Sequence, residues 1–158
     1  AAGLRRAEWS LAGDVRILIV ALGGNDGLRG LPVDQMKRNL AEIVSLARRR
    51  GIAVLLAGME APPNFGATYT AQFRHVFQEL ASEHDVTFMP FLLDGVAGDP
   101  ALNQADGIHP NTAGAAIVAD RVWAALAPLL PALTPAMPKQ GAHENAPVSP
   151  SPSRRGPG

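Results

Sequence analysis

The stretch that most constrains the fold is residues 15–26, VRILIVALGGND, an apolar run that ends abruptly in two glycines, an amide and a carboxylate. Its apolar side chains occupy both alternations of an extended chain, and several of them are β-branched. Such a run is typical of a strand buried on both faces in a parallel sheet covered by helices. Ligands of open α/β sheets bind at the carboxyl ends of the strands. We therefore expect Asn25 and Asp26 at a binding edge.

The rest of the chain alternates between helical and strand-like patterns. In order, the pattern predicts a short helix at 4–11, strands at 15–22, 52–58 and 86–91, a loop at 27–31, and helices at 32–50, 69–84 and 110–128. Apolar positions in the helices recur every three or four residues, so each helix has one face for packing. Strands that alternate with helices predict an α/β fold with a parallel sheet.

Composition limits the class of partner. The chain of 158 residues is 47% hydrophobic, and its 14 basic residues balance 14 acidic ones. There is no global field that would attract nucleic acid or anionic lipid, so a small-molecule partner is expected. No apolar run reaches the length of a transmembrane helix, and no stable membrane anchor is predicted. The absence of cysteine excludes a thiolate nucleophile from the 158 residues.

The chain divides into two parts by composition. Residues 1–131 carry every predicted strand and helix, and we expect them to form one domain. More than half of the prolines lie from residue 128 onward, with serine, alanine, glycine and arginine between them. Residues 132–158 have too little apolar area to offset the entropy of ordering, so a disordered tail is predicted there.

A second polar cluster, Asp106-Gly107-Ile108-His109-Pro110, precedes the last predicted helix. A carboxylate three residues before a histidine can accept from one ring nitrogen and leave the other free to take a proton. That is the orienting and general-base pair of a hydrolytic triad. Taken alone, the pattern also fits a structural account, in which Asp106 caps a turn and His109 is merely exposed.

The two polar clusters together, G-x-N-D after a strand and D-x-x-H before the final helix, resemble the signature of the SGNH hydrolases. This family of serine esterases and lipases is also known by its GDSL motif. Within the family, the chain most resembles the small bacterial arylesterase and lysophospholipase type. The similarity extends to about Leu130, and its most specific segments are LGGNDGLRG, Pro62-Pro63-Asn64 and DGIHPN. It implies a flavodoxin-like, three-layer α/β/α domain that hydrolyses carboxylic esters or thioesters through an acyl-enzyme, with no cofactor and no metal.

The resemblance also implies a role for each site residue. Asn25 would donate its side-chain amide to the oxyanion. His109 would act as general base and then general acid, with Asp106 as its orienting partner. The site-shaping residues would be Gly23 and Gly24, which let the backbone turn beneath the substrate, and Asp26, which caps or braces the loop. Candidates for the acyl-pocket wall are Phe65, Tyr69 and apolar residues of loop 92–108 such as Leu93, Val96 and Leu102. For each of them, ordinary packing in the core or loop is an equally good explanation.

The chain departs from the family pattern at its beginning. The family's first block is a Gly-Asp-Ser that carries the nucleophile, and its second block supplies a glycine N–H to the oxyanion hole. Neither block is present, and none of the serines follows Gly-Asp; they are Ser10, Ser45, Ser82, Ser149, Ser151 and Ser153. We therefore expect an N-terminally truncated SGNH hydrolase that lacks its first strand and is inactive as given. The alternative is a non-catalytic α/β remnant or binding module.

Three further expectations concern self-association, metal ions and the cellular compartment. A missing first strand leaves an apolar strand edge open, through which copies of the chain can associate. Metal-assisted hydrolysis through Asp106 and His109 is a weaker hypothesis, because no additional ligand cluster lies at the usual spacing. The resemblance implies export to the periplasm or exterior, while the residues themselves leave the compartment, including the cytoplasm, open.

Overall fold

A computed structural model describes residues 2–130. The helices are α1 (Ala2–Ser10), α2 (Gly24–Leu28), α3 (Val33–Arg49), α4 (Ala67–Glu83) and α5 (Thr112–Leu126), and the strands are β1 (Ile17–Val20), β2 (Ala53–Ala57) and β3 (Thr87–Met89). Short 3-10 turns occur at Pro63–Phe65 and Ala127–Leu129. Every predicted strand and long helix is therefore present, with its ends shifted by a few residues. The predicted tail, 132–158, lies outside the described residues.

The three strands form one parallel sheet in the order β1-β2-β3. Alternate side chains of β2 point to opposite faces of this sheet. Val54 and Leu56 pack into a core shared with α1, α3 and α4. Leu55 and Ala57 pack with residues of α5 on the other face. Helices therefore cover both faces, and the predicted three-layer α/β/α architecture with a parallel sheet is confirmed.

The larger core lies between the sheet and the pair α3 and α4. The inward face of α3 is apolar at the predicted helical spacing and buries Met36, Leu40, Ile43, Val44 and Ala47. On α4, the fully buried rings of Phe73 and Phe77 meet edge to face, with centroids 5.7 Å apart. Each buried aromatic ring stabilises the fold by roughly 1.5–3 kcal/mol relative to an exposed one. These two rings also lie directly beneath α2, which carries Asn25.

The prediction that the first strand is buried on both faces is wrong. Ile19 is 41% exposed. It pairs with Leu55 in the parallel register and so shares that residue's face of the sheet. Because α5 covers Leu55 but not β1, the Ile19 side chain is left uncovered among the described residues. β1 also forms an edge of the described sheet. Association of copies through this edge stays a prediction.

The loop predicted at 27–31 begins later than expected, because residues 24–28 form the short helix α2. Two glycines suggested a loop, but packing overrides their low helix propensity here. Gly27 is buried against the ring of Phe73, where a Cβ would lie only 2.9 Å from Cζ. Among residues 2–130, none of the helices combines the length and apolar character needed to cross a membrane.

Candidate active site

A cavity of about 880 Å³ opens at the carboxyl edge of the sheet. Four chain segments that follow the strands or precede the last helix contribute to its lining: 23–26 after β1, 59–63 after β2, 91–93 after β3 and 107–110 before α5. Asn25 and His109, which are far apart in sequence, thus line the same cavity. Asp106 reaches it through its contact with His109.

The turn that carries Asn25 depends on Gly23. The φ angle of Gly23 is +105°, in the region that only glycine adopts without strain, and this lets the chain pass from β1 directly into α2. Space for a side chain is also tight, since a Cβ on Gly23 would lie 3.0 Å from both Met36 Sδ and Phe77 Cζ, and both would have to shift. Gly24 itself is helical. Asn25 therefore stands on a tightly packed turn, with its own side chain exposed at the cavity.

Asp26 lies within α2, and its main chain holds the connection from α2 to α3. Its main-chain carbonyl accepts a hydrogen bond from the N–H of Leu31 at 3.0 Å. The hydroxyl of Tyr69 donates to the carbonyl of Leu31 at 2.8 Å. Burial, and then the nearby charge of Asp26, raise the pKa of the Tyr69 hydroxyl above its ordinary value. The Tyr69 side chain thus stays neutral and able to donate to this connection at neutral pH.

His109, which also lines the cavity, forms a close pair with Asp106. His109 Nδ1 lies 2.7 Å from Asp106 Oδ2, while Asp106 Oδ1 accepts from the main-chain N–H groups of Ile108 at 3.0 Å and His109 at 3.1 Å. The hydrogen bond from the His109 ring, followed by these two main-chain bonds, lowers the pKa of Asp106 to about 2. At neutral pH the carboxylate is therefore ionised and can only accept.

That ionised carboxylate determines which ring nitrogen carries the proton. Since Asp106 only accepts, Nδ1 of His109 must be the protonated nitrogen, and Nε2 of the neutral ring is left as an acceptor. The imidazole side chain is 66% exposed, so Nε2 is accessible. The pair can hold an imidazole in one tautomer and accept a proton at Nε2, which is the chemistry of a general base.

Several predicted pocket-wall residues do not reach the cavity lining. Leu93 does, together with its neighbour Leu92 and Ile108 from the same loop. Phe65 instead packs on Gly30 and Tyr69, and Val96 is fully buried in the core. The lining also includes residues 59–63, which were not assigned to the site from the sequence. Their position directly after β2 was the available signal, because parallel strands end at one edge.

Within residues 2–130, the cavity has neither a serine nor a metal-ligand cluster beside it. The serines of this range are Ser10, Ser45 and Ser82, and none of the three lines this cavity. Within the same residues, no group of three or more histidine, aspartate or glutamate side chains is placed to hold a metal ion. The chemistry that residues 2–130 bring to the cavity is thus an amide donor and a carboxylate-held imidazole.

Comparison with known proteins identifies the family. Residues 1–117 match the GDSL-like Lipase/Acylhydrolase family. The chain is 43% identical over 131 residues to esterase TesA of Pseudomonas aeruginosa, covering 82% of this chain and 65% of TesA. It is 36% identical over 115 residues to thioesterase 1/protease 1/lysophospholipase L1 of Escherichia coli, covering 73% of this chain and 55% of that protein.

A solved structure agrees with these sequence matches. The crystal structure of TesA superposes with a TM-score of 0.76 at 41% identity, covering 80% of this chain and 71% of that one. The chain spans 65% and 55% of the lengths of the two relatives above. The flavodoxin-like fold and the SGNH/GDSL resemblance expected from the sequence are both confirmed. This chain belongs to the GDSL-like lipase/acylhydrolase family.

Proposed function

We propose that this chain provides the oxyanion donor and the general base of a serine hydrolase that cleaves carboxylic esters or thioesters. One observation carries the proposal: Asn25 and His109, from distant parts of the sequence, line one cavity, and Asp106 holds the His109 ring. An amide donor and an oriented imidazole beside a single cavity are what acyl transfer to a hydroxyl requires. The names of the relatives, esterase TesA and thioesterase 1/protease 1/lysophospholipase L1, support the same class.

In the proposed reaction, Nε2 of His109 takes the proton of a nucleophilic serine hydroxyl as the oxygen attacks the acyl carbon. The Asn25 side-chain N–H donates to the oxyanion that forms, an interaction worth roughly 3–4 kcal/mol in comparable hydrolases. His109 then returns the proton to the departing alcohol or thiol, which leaves an acyl-enzyme. Water, deprotonated by the same imidazole, hydrolyses the acyl-enzyme and restores the serine.

The nucleophile in this proposal comes from outside residues 2–130. Two observations support this: none of the serines in that range lines the cavity, and the chain spans 65% of the length of TesA. The sequence resemblance implies a Gly-Asp-Ser segment ahead of the matched region. In the proposal, the serine of that segment is the nucleophile, so the 158-residue chain alone is inactive.

The cavity wall favours an apolar acyl group. Its apolar lining includes Leu22, Leu28, Met36, Leu40, Ile43, Met59, Leu92 and Leu93. These side chains come from both the core side and the loop side of the cavity, so an acyl chain can exchange water for apolar contacts on either side. Burial of each methylene contributes about 0.8 kcal/mol. The proposed partner is a small ester or thioester.

A fusion protein tests the proposal. A segment that carries the family's Gly-Asp-Ser block is joined ahead of Ala1, and hydrolysis of a short-chain p-nitrophenyl ester is measured. We expect turnover in the fusion and none in the 158-residue chain. His109→Ala in the fusion should lower kcat by roughly four orders of magnitude or more, because general base and orienting pair act as a unit.

The matched control is His75→Ala, which removes an exposed histidine of α4 that pairs with Glu79 and does not line the cavity. It should leave turnover unchanged. If the His109→Ala fusion were as active as the His75→Ala fusion, His109 would have no part in the mechanism.

A second candidate function is a non-catalytic binding module, which is favoured by the absence of a serine from the described cavity lining. This alternative predicts that the 158-residue chain binds an apolar ester, detectable by calorimetry, while the fusion shows no hydrolysis. Turnover by the fusion, lost on replacing its serine with alanine, would exclude the alternative.

A further inference from the structure

His109 lies on a loop whose backbone is closed by hydrogen bonds. The N–H of Gln104 donates to the carbonyl of His109 at 2.7 Å, and the N–H of Asn111 donates to the carbonyl of Leu102 at 2.9 Å. Between these two bonds, Asn103 and Pro110 form an isolated antiparallel bridge. The two ends of the loop are thus held side by side, with Asp106 and His109 between them.

The His109 ring has little packing of its own to fix it. Its side chain is exposed, as is that of Asp106, and the hydrogen bond the ring makes is the one to Asp106. Both partners belong to the same short loop. Their relative position therefore depends on the loop backbone rather than on a surrounding core, and the groups that hold the loop also determine the direction of Nε2.

Asn111 holds this loop with one end of its amide and the last helix with the other. Its Oδ1 accepts from the N–H groups of Ala113 at 2.9 Å and Gly114 at 3.1 Å, which caps α5. Its Nδ2 donates to the carbonyl of Ala101 at 2.8 Å and to that of Asn103 at 3.3 Å. The partners settle the amide orientation, because one end faces only donors and the other only acceptors.

Close contacts and further hydrogen bonds lie beneath this connection. Gly114, in the first turn of α5, is buried so closely that a Cβ would lie 2.1 Å from the carbonyl oxygen of Leu102. Asn103 is 6% exposed, and its Nδ2 donates to the carbonyls of Val96 at 2.6 Å and Asp99 at 2.8 Å. The start of α5, the loop and the turn before it therefore form one unit that Asn111 joins.

We propose that Asn111 is a positioning residue for His109, and that its Nδ2 donor, separately from its helix cap, holds the loop in the form that aims the imidazole at the cavity. The proposal rests on the proposed function, in which His109 is the general base. It assigns Asn111 a role beyond capping a helix, without contact to substrate.

Substitutions separate the two roles of Asn111. Asn111→Ser keeps a side-chain oxygen that can cap α5 but removes the Nδ2 donor, whereas Asn111→Ala removes both. The control is Thr70→Val, which deletes hydroxyl bonds to the carbonyls of Gly66 and Ala67 at the start of α4, away from the loop. If Asn111→Ser does not fold, Asn111→Asp provides the same separation, because aspartate also caps well and lacks the donor.

The readouts are the His109 ring tautomer, from long-range ¹H–¹⁵N NMR at neutral pH, and the Asp106 carboxyl titration, from ¹³C NMR, both in the 158-residue chain. The wild type and Thr70→Val should show the Nδ1–H tautomer and an Asp106 pKa of about 2. Asn111→Ser should show a mixture of tautomers and an Asp106 pKa raised toward 3.8, with a melting temperature close to that of the wild type. For Asn111→Asp the tautomer alone is compared.

The proposal is overturned if Asn111→Ser, or Asn111→Asp in its place, keeps the wild-type tautomer while Asn111→Ala only lowers the melting temperature. Asn111 would then be a helix cap and nothing more. These measurements need no turnover, so their failure is distinguishable from failure of the proposed function, which is measured by ester hydrolysis in the fusion.

Discussion

The two halves of the candidate site are held in different ways. Asn25 stands on a turn packed from beneath, where Gly23 contacts the buried side chains of Met36 and Phe77. His109 stands on an exposed loop closed by main-chain bonds and side-chain amides. The Asn25 turn should therefore be disturbed by substitutions that add side-chain volume. The His109 loop should be disturbed by substitutions that remove hydrogen-bond donors. The Asn25 turn, held mainly by packing, and the His109 loop, held mainly by hydrogen bonds, line the same cavity.

The free-energy costs of the two kinds of substitution also differ. Added volume in a packed core costs about 1–3 kcal/mol, since neighbouring side chains must leave their rotamers. A single hydrogen bond contributes only about 0.5–1.5 kcal/mol net, because water replaces the lost partner in an exposed loop. Damage to the Asn25 turn should thus appear mainly in stability, and damage to the His109 loop mainly in the geometry of the imidazole.

Among the substitutions that compare the two halves, the largest expected effect separates the role of Asn25 from that of the turn that carries it. In the fusion enzyme, Asn25→Ala should lower kcat by roughly 10²–10³-fold, the cost of one oxyanion donor in comparable hydrolases. Stability should be unchanged, because the Asn25 side chain is exposed. The control is Gln35→Ala, another exposed amide, which does not line the cavity. A large loss of stability in Asn25→Ala would mean that the Asn25 side chain also holds the turn in place, and is not only an oxyanion donor.

The next effect tests the packed half directly. Gly23→Ala should lower the free energy of unfolding by about 2–4 kcal/mol, because a left-handed φ and a crowded Cβ position act together. Gly51→Ala is the matched control, since Gly51 also has a positive φ but a Cβ added there would have no atom within 4 Å. It should cost only about 1–2 kcal/mol. Urea unfolding measures both, and equal losses would show that packing does not hold this turn.

A smaller effect is expected in the hydrogen-bonded half. The Gln104 side chain donates from Nε2 to the carbonyl of Pro110 at 3.1 Å. Gln104→Ala removes this donor and should lower the free energy of unfolding by about 0.5–1.5 kcal/mol. Urea unfolding of the 158-residue chain measures the difference. A loss as large as that of Gly23→Ala would mean that the loop is part of the packed core.

The smallest expected effect is the pH dependence of the stability that Asp106 contributes. The pKa of Asp106 is lowered from 3.8 to about 2 in the folded chain, so its stabilising contribution is complete above pH 3.8 and is lost as the pH falls toward about 2. Asp106→Asn lacks this titration. The stability difference between wild type and Asp106→Asn should therefore narrow across that pH window, as measured by urea unfolding. If the stability difference between wild type and Asp106→Asn did not change with pH, the Asp106 carboxylate would not be stabilised by its hydrogen bond to His109.

Much of the fold followed from local patterns. The second strand was predicted at 52–58 and lies at Ala53–Ala57, because an apolar run between two helical patterns leaves little choice. The exposure of Ile19 was not predictable in this way, since it depends on which strands α5 covers. Helix α2 was missed for a related reason: Gly27 is helical because of its contact with Phe73, a residue distant in sequence.

The site was predictable in part. Asn25 and His109 were located from spacing and family resemblance, and the structure places both at one cavity. The roles assigned to them stay proposals. The supporting amides of Gln104 and Asn111 were not identified, because their partners are main-chain carbonyls brought close only when the loop closes. Spacing predicts which residues meet at a sheet edge, but not which side chains hold them there.

In the proposed function, the amide of Asn25 and the imidazole of His109 act on the same acyl carbon. A crystal structure of the fusion enzyme with a phosphonate ester bound to its serine tests this most directly, because the phosphonyl oxygen occupies the position of the oxyanion. This oxygen should lie about 2.7–3.1 Å from Asn25 Nδ2, with His109 Nε2 facing the serine oxygen. A phosphonyl oxygen turned away from Asn25, or an imidazole that does not reach the serine, would contradict it.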